Sequence, residues 1–305
     1  MEPELCFESI NGSCVKTTRH LAVRLSLYLV LGATILLTVF GNLLVCMSII
    51  YFKQLQTPTN FLILSLGMSD LLLGLLVMLP SMTQVVESCW YFGNFFLDRH
   101  YAVCHPLMYR RKITLSVVLL MILIAWSVSA LTGFGMIFME LNIWGIEDFY
   151  YSHVACVGGC VLFQSGLSST LSSLLSFYIP GVIMLGVYLK IFLVARKQLR
   201  TIHNINTTRA SNSSQTKATK TLAIIMGAFL CFWTPFFVVN VADPFVGYAT
   251  PVELFEMLVW VGFINSTINP FIYAFFYSWF RKAIRLFLSG DVFIANLSDI
   301  TLFKE

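Results

Sequence analysis

The chain has 305 residues, of which 58% are hydrophobic and only 11% are charged. Soluble domains usually carry about 25% charged residues. Because the mean hydropathy is +0.81, too little polar surface is available to face water, and a soluble globular fold is excluded. The net charge of +4 is modest and no basic stripe alternates with aromatic residues, so nucleic acid is not an expected partner.

Apolar runs long enough to cross a bilayer follow a polar N-terminal segment, 1–24, which lacks the pattern of a cleavable signal peptide. A membrane helix needs about 20 apolar residues. Six runs meet this length, at about 25–50, 60–82, 115–139, 171–194, 221–242 and 254–277. The sequence therefore predicts an all-α integral membrane protein, a helical bundle forming one transmembrane domain over 1–305.

A short amphipathic helix is predicted directly after the last run, at 278–288, and a tail follows at 289–305. Its apolar residues are expected to face lipid: Trp279, Phe280, Ala283, Ile284, Phe287 and Leu288. Its basic residues are expected to face headgroups: Arg281, Lys282 and Arg285. Such a helix lies along the membrane surface, so membrane lipid is a predicted partner.

The distribution of basic residues predicts which loops face the cytoplasm. The stretches 140–169 and 243–253 contain no Lys or Arg, whereas 195–220 is rich in them and the chain after the last run carries Arg281, Lys282, Arg285 and Lys304. Cytoplasmic loops gather Lys and Arg. The last four helices are therefore oriented with 195–220 and the tail inside the cell.

The orientation of the first two runs stays open from charge alone. In one arrangement the stretch 84–108 also crosses, which would bury Glu87, Asp98 and Arg99 at about 2.5–3.5 kcal/mol each near the bilayer centre. In the other arrangement nothing crosses there, and the first two helices flip so that the N-terminus lies inside. Asn11 begins a glycosylation sequon, and a glycan on it would place the N-terminus outside.

Polar residues within the apolar runs are candidates for a functional site. Asp70 lies in the middle of the second run, and an ionisable group there is a functional hypothesis by default. Pro270 breaks the hydrogen-bond ladder of the last run, and the adjacent Asn269 is expected to satisfy the freed carbonyls. We predict an intramembrane polar switch formed by Asn42, Asp70, Asn269, Pro270 and Tyr273. Asp70 is a candidate for binding sodium or a proton, with a purely structural hydrogen-bonded cluster as the alternative.

A long motif in the last run carries a family resemblance: Asn265-Ser266-x-x-Asn269-Pro270-x-x-Tyr273-x-x-x-Tyr277-x-Trp279-Phe280. It resembles the fingerprint of the trace amine-associated receptors, which are rhodopsin-like (class A) G-protein-coupled receptors. Further motifs similar to that family follow in the same order: Gly41-Asn42, Ser69-Asp70, Trp90-Tyr91-Phe92-Gly93, Asp98-Arg99-His100, Trp126, Pro180 and Cys231-Phe232-Trp233-Thr234-Pro235. The resemblance covers nearly all of the chain.

The resemblance implies a seven-helix receptor of the plasma membrane that couples the sensing of a small amine to a heterotrimeric G protein. Asp98 and Arg99 would then face the G protein. The family also links an outer-loop cysteine to the N-terminal segment, which here implies that Cys14 pairs with Cys156 or Cys160. Because no metal-ligand cluster or nucleophile motif appears, neither an enzyme nor a cofactor is expected.

Aromatic residues of the last two runs are predicted to line a ligand pocket near the outer side: Trp233, Phe236, Phe237 and Trp260. Aromatic faces attract ammonium groups by cation–π contact. Core packing is the alternative role for these rings. The nearest acids in sequence, Asp243, Glu253 and Glu256, are expected to be solvated at the rim of this pocket.

The chain departs from the family pattern between Gly93 and Asp98. In the family the first of these motifs lies outside the cell and the second lies inside, with a full helix between them. About two dozen residues are missing here, which is close to one membrane crossing. The lost segment supplies the family's amine-binding Asp and a loop-bridging Cys. The alternative function is therefore a non-signalling truncated form (a splice variant, pseudogene product or partial gene model) that stays in the endoplasmic reticulum.

Overall fold

The computed structural model describes residues 4–17, 19–91, 115–159, 163–186, 189–190 and 210–290. Three residues predicted to be functional, Asp98, Arg99 and Cys160, lie outside these ranges, as does most of the C-terminal tail. Statements about packing and partners below refer to the described residues.

The described part of the chain is helical and contains no strand. Its helices are α1 (Leu21–Tyr51), α2 (Pro58–Glu87), α3 (Leu115–Phe138), α4 (Glu147–His153), α5 (Gly166–Gly186), α6 (Ala210–Ala242), α7 (Val252–Phe276) and α8 (Ser278–Ser289). Five of the described helices, α1, α2, α5, α6 and α7, are long and apolar enough to cross a membrane. Helix α3 contains a shorter apolar stretch, Ile122–Met136.

Several helices extend beyond the predicted runs because polar side chains in their outer turns are satisfied. The guanidinium of Arg24, in the first turn of α1, forms an ion pair with Glu87 in the last turn of α2. Ser165 caps α5, accepting a hydrogen bond from the Ser168 N–H at 3.3 Å. Hydropathy leaves such polar residues outside the predicted runs, although a helix end tolerates a polar group that is paired or that caps the helix.

The inner half of the bundle is held by α1, α7 and α8. One buried cluster joins Val45, Ile49 and Phe52 of α1 to Tyr273 of α7 and Phe280 of α8. The expectation that the apolar face of α8 meets lipid is therefore wrong for part of that face. Trp279, Phe280 and Ala283 are at most 5% exposed and pack on protein, whereas Leu288 is 80% exposed.

The other helices attach to this group pairwise. Helix α6 packs along α7, α5 packs on α6, and α3 packs on α2. The indole N–H of Trp126 in α3 donates to the Ser65 hydroxyl of α2 at 3.2 Å. This contact fixes α3 beside α2 in the order expected for the family's fourth helix.

Two disulfides join the N-terminal segment to the outer end of the bundle. Cys6 is bonded to Cys89, just beyond α2, and Cys14 is bonded to Cys156, in the loop between α3 and α5. The N–H of Cys14 also donates to the carbonyl of Val157 at 2.9 Å. We call residues 4–17 with these bonds the outer cap.

The outer cap decides the orientation that charge left open. The N-terminal segment and the 140–165 loop lie on the same side of the bundle, because a disulfide connects them. The flipped arrangement places these two segments on opposite sides of the membrane and is wrong. The N-terminus is therefore outside, given that 195–220 is inside. Of the two partners considered for Cys14, the structure bonds it to Cys156.

Candidate functional site

The predicted polar switch is assembled around Asp70 of α2. Asp70 is only 5% exposed, and the side-chain amide of Asn269 donates to its Oδ2 at 2.8 Å. A buried carboxylate needs such a donor, because an unpaired charge in an apolar interior is costly. Helices α2 and α7 are thus joined through one carboxylate.

Asn42 of α1 donates to backbone carbonyls of α1 and α7. Its amide donates to the Thr38 carbonyl at 2.9 Å and to the Ser266 carbonyl at 3.0 Å. Proline at position 270 has no N–H, so the carbonyl four residues earlier, that of Ser266, loses its helical donor. Asn42 supplies that donor from the neighbouring helix. The expectation that Asn269 would satisfy the freed carbonyl is therefore wrong.

The proline itself sits against a glycine of α1. A Cβ added at Gly41 would lie 2.8 Å from Cγ of Pro270. A larger residue at position 41 would therefore push α1 away from α7 and separate Asn42 from the Ser266 carbonyl. The adjacent pair Gly41-Asn42 acts as one unit, in which the first residue permits the approach and the second makes the hydrogen bond.

Several buried polar atoms around this centre have no partner among the described residues. They are Oδ1 of Asn42, Oδ1 of Asn265, Oδ1 of Asn269 and the hydroxyl of Tyr273. Native proteins leave few buried polar atoms unpaired, so such a group indicates a bound water, an ion or a rearranging site. No three His, Cys, Asp or Glu side chains converge on a metal-binding position in the described part of the chain.

The predicted aromatic pocket is divided between two clusters. On α6, Phe236 and Phe237 pack with Phe177 of α5, whose ring stacks on Phe237 at 4.4 Å between centroids. Trp260 belongs to a second cluster with α1 and α2. Trp233 lies between the clusters, and Phe263 contacts both Trp233 and Trp260. Sequence reasoning missed Phe177 and Phe263.

A polar group borders the first aromatic cluster on its outer side. The amide of Asn240 donates to the Ser173 hydroxyl and to Oε1 of Gln164, both at 3.1 Å. Ser173 is fully buried, and the hydroxyl of the nearby Ser168 has no partner among the described residues. This part of the bundle therefore offers hydrogen-bonding groups of uncharged side chains.

The outer loops carry acids and stacked rings. The N–H of Gly145 donates to the Glu147 carboxylate at 2.9 Å, which lowers the pKa of that carboxyl. The Tyr151 hydroxyl donates to Glu140 at 2.9 Å, which raises the pKa of Tyr151. Rings of Phe163 and Tyr248 stack at 4.4 Å. A face with acids and few bases attracts cations.

Of the three acids expected to be solvated at the rim, Glu253 is exposed and the other two are half-buried. Asp243 accepts a hydrogen bond from the N–H of Thr250 at 2.9 Å. Glu256 lies on α7, one helical turn before Trp260.

Comparison with known proteins places this arrangement in a family. The family described as "7 transmembrane receptor (rhodopsin family)" matches residues 41–96 and 97–273. The chain therefore belongs to the rhodopsin family of seven-transmembrane receptors, whose members are multi-pass, all-helical membrane proteins and not enzymes.

Full-length relatives identify the branch of that family. The chain is 47% identical to trace amine-associated receptor 1 of Macaca mulatta over 332 residues, with 98% of each chain covered. It is 43% identical to trace amine-associated receptor 4 of Rattus norvegicus, covering 99% of this chain and 96% of the relative. It is 41% identical to trace amine-associated receptor 13c of Danio rerio, with 98% and 96% covered. The chain is a homologue of the trace amine-associated receptors.

The same alignments locate the missing segment. The comparison with the macaque receptor spans 332 positions, although this chain has 305 residues, so the relative contains at least 27 residues without a counterpart here. The family match is divided between residues 96 and 97, where the outer and inner motifs meet. Most of the family's third transmembrane helix is therefore absent.

Proposed function

We propose that this chain is a receptor of the plasma membrane that couples the binding of a small amine to a heterotrimeric G protein. The observation that carries the proposal is the hydrogen-bonded connection from α2 through Asp70 to Asn269, next to the broken ladder at Pro270. A helix interrupted by proline and held by side-chain hydrogen bonds has two accessible arrangements, which a receptor needs in order to switch.

The mechanism we propose is a population shift. A ligand in the outer half that contacts α6 and α7 binds one arrangement of these helices more tightly than the other. This difference in affinity shifts the equilibrium towards the arrangement that binds it better. The aromatic residues Trp233, Phe236, Phe237 and Trp260 lie between that outer half and the polar centre. Tyr273, one turn beyond Pro270, then moves with the inner half of α7. At the inner side of the membrane, Asp98 and Arg99 are proposed to meet the G protein. Asp70 is proposed to hold a sodium ion or a proton in the inactive arrangement.

A second candidate function is favoured by the missing residues. The lost helix supplies the family's amine-binding Asp, and the cluster of Phe177, Phe236 and Phe237 offers a ligand only ring faces. A cation–π contact is worth only about 0.5–2 kcal/mol, too little for micromolar binding by itself. The alternative is a truncated form that does not signal and remains in the endoplasmic reticulum.

One cellular experiment separates the two functions. The chain is expressed beside a chimera that carries the macaque receptor's additional residues between Phe96 and Leu97, and surface delivery and cyclic AMP are measured with a panel of amines. A surface chain that responds, and that loses its response on Arg99→Ala, supports the receptor. Retention of the chain together with a responding chimera rejects signalling by this form and supports the truncated one. Glycosylation at Asn11, which is exposed in the outer cap, is the marker of maturation.

A further inference from the structure

Glu256 of α7 is an acid whose burial is not compensated by any hydrogen bond or ion pair among the described residues. It is half-buried near the outer end of the helix. The ion pair found among the described residues joins Arg24 to Glu87 and does not involve it. Arg19 acts on Glu256 from a distance beyond ion-pair contact, and Glu253 opposes it with like charge. A carboxylate that loses hydration without gaining a partner is costly, and an added cation would remove that cost.

The other acids of the outer side do not share this property. Four of them have hydrogen-bond partners: Glu87 with Arg24 and Tyr28, Asp243 with the Thr250 N–H, Glu140 with Tyr151, and Glu147 with the Gly145 N–H. The others are exposed to solvent: Glu4, Glu8, Asp148 and Glu253. Among these acids, Glu256 is the one that combines burial with the absence of a hydrogen bond in the described structure.

An aromatic ring lies one helical turn inward from Glu256. Residues four apart share a helix face, so Trp260 follows Glu256 on the side of α7 that packs against α1 and α2. Trp260 is 6% exposed, and its indole N–H is buried without an acceptor among the described residues. The ring belongs to a buried apolar cluster that includes Ile35 of α1 and Leu73 and Val77 of α2.

We infer that Glu256 is the counter-ion of a small primary ammonium ligand, with Trp260 as the ring against which the ligand packs. The inference rests on the proposed amine ligand and assigns its charge to α7, in a chain that lacks the family's third helix. The ammonium forms charge-assisted hydrogen bonds with the carboxylate.

The test measures binding without a G protein. The full chain, purified in phosphatidylcholine nanodiscs, is melted with 2-phenylethylamine and with 2-phenylethanol, which has the same ring and tail but no charge. A ligand that binds the folded state raises the melting temperature, so the amine is expected to raise it and the alcohol is not. Glu256→Gln is expected to weaken the apparent affinity for the amine by about tenfold or more, because a charged hydrogen bond is lost. The matched control Glu253→Gln, one turn away on the exposed side, is expected to retain the wild-type affinity.

Each outcome decides the inference. Equal stabilisation of Glu256→Gln and the wild type by the amine would overturn it, as would no stabilisation of the wild type or equal effects of amine and alcohol. If Glu256→Gln does not fold, as judged from its melting without ligand, Glu256→Asp replaces it. Because the Asp side chain is one methylene shorter, its carboxylate lies further from the ammonium. The inference requires Glu256→Asp to bind the amine at least about threefold more weakly than the control Glu253→Asp. Binding without a cyclic AMP response would reject signalling while keeping the site.

Discussion

Asn42 shows how a residue on one helix compensates for a proline on another. Its amide donates to the Ser266 carbonyl, the group that Pro270 deprives of its helical donor. The sequence placed Asn42 and Pro270 in one polar switch, because a polar residue and a helix-breaking proline both stand out inside apolar runs. It assigned the compensation to Asn269, since that residue is adjacent along the chain. Helix packing determines which neighbouring helix approaches Pro270, and the spacing of residues within the last helix cannot predict it.

Loss of the Asn42 amide is expected to destabilise the protein in a way that depends on Pro270. Asn42→Ala leaves the Ser266 carbonyl buried and unpaired, which costs about 1–3 kcal/mol. In a Pro270→Ala background the restored N–H supplies the helical donor, so the same substitution costs less, and the coupling energy is expected to be about 1 kcal/mol. Denaturant titration in mixed micelles measures the four free energies of unfolding.

The control for this cycle is Leu43→Ala, which removes a side chain that is 36% exposed on the same helix. It is expected to show no coupling to Pro270→Ala. Strict additivity of Asn42→Ala and Pro270→Ala would show that the hydrogen bond to Ser266 does not compensate for the proline.

At the scale of elements, α6 and α7 approach each other through a glycine. A Cβ added at Gly262 would lie 2.7 Å from ring atoms of Trp233. The ring is large and is wedged between two aromatic clusters, so it cannot move aside easily. This close approach is what allows Trp233 to contact Phe263 of α7.

Gly262→Ala is expected to lower the stability of the bundle by about 1–3 kcal/mol, because an over-packed contact forces helices or rotamers to shift. The matched control is Gly227→Ala on α6, where nothing lies within 4 Å of the added Cβ. Alanine favours a helix over glycine, so this control is expected to be neutral or stabilising by up to about 1 kcal/mol. Thermal unfolding in nanodiscs compares the two, and equal effects would show that Trp233 does not limit the approach.

Helix α8 illustrates what an amphipathic pattern reports. The predicted segment, 278–288, and the observed helix, Ser278–Ser289, nearly coincide, because the alternation of basic and apolar residues defines a helix of that length. The partner of its apolar face was predicted incorrectly for Trp279, Phe280 and Ala283. Lipid tails and buried side chains are both apolar, so periodicity cannot tell one from the other.

At the scale of the whole molecule, hydropathy and motif order predicted the fold class and the family. The orientation of the first two helices was not predictable, since Lys16, Arg19 and Arg24 give an outer segment the charge of an inner one. The disulfide between Cys14 and Cys156 settles it. A second disulfide, between Cys6 and Cys89, had no signal in the sequence beyond the presence of both thiols. The division of the aromatic residues into two clusters also depends on helix packing that no single run encodes.

The outer cap is expected to contribute to global stability. Replacing both Cys14 and Cys156 by Ser removes a bond that closes a separation of 142 residues, and loss of a native disulfide typically costs about 2–4 kcal/mol. Cys231→Ser, at an exposed free thiol, is the control and is expected to be neutral. Thermal unfolding of the purified chain measures both. An unchanged melting temperature in the double variant would show that the cap is held without its covalent bond.

The outer cap also imposes an order on biosynthesis. The thiol of Cys14 leaves the ribosome long before Cys156 exists, and α1, α2 and α3 are all translated in between. During that interval the nascent chain exposes Cys6 and Cys14 to the oxidising lumen of the endoplasmic reticulum, where they can pair with each other instead. Closure of the bond to Cys156 therefore marks the moment when the loop before α5 has reached the lumen beside the N-terminal segment.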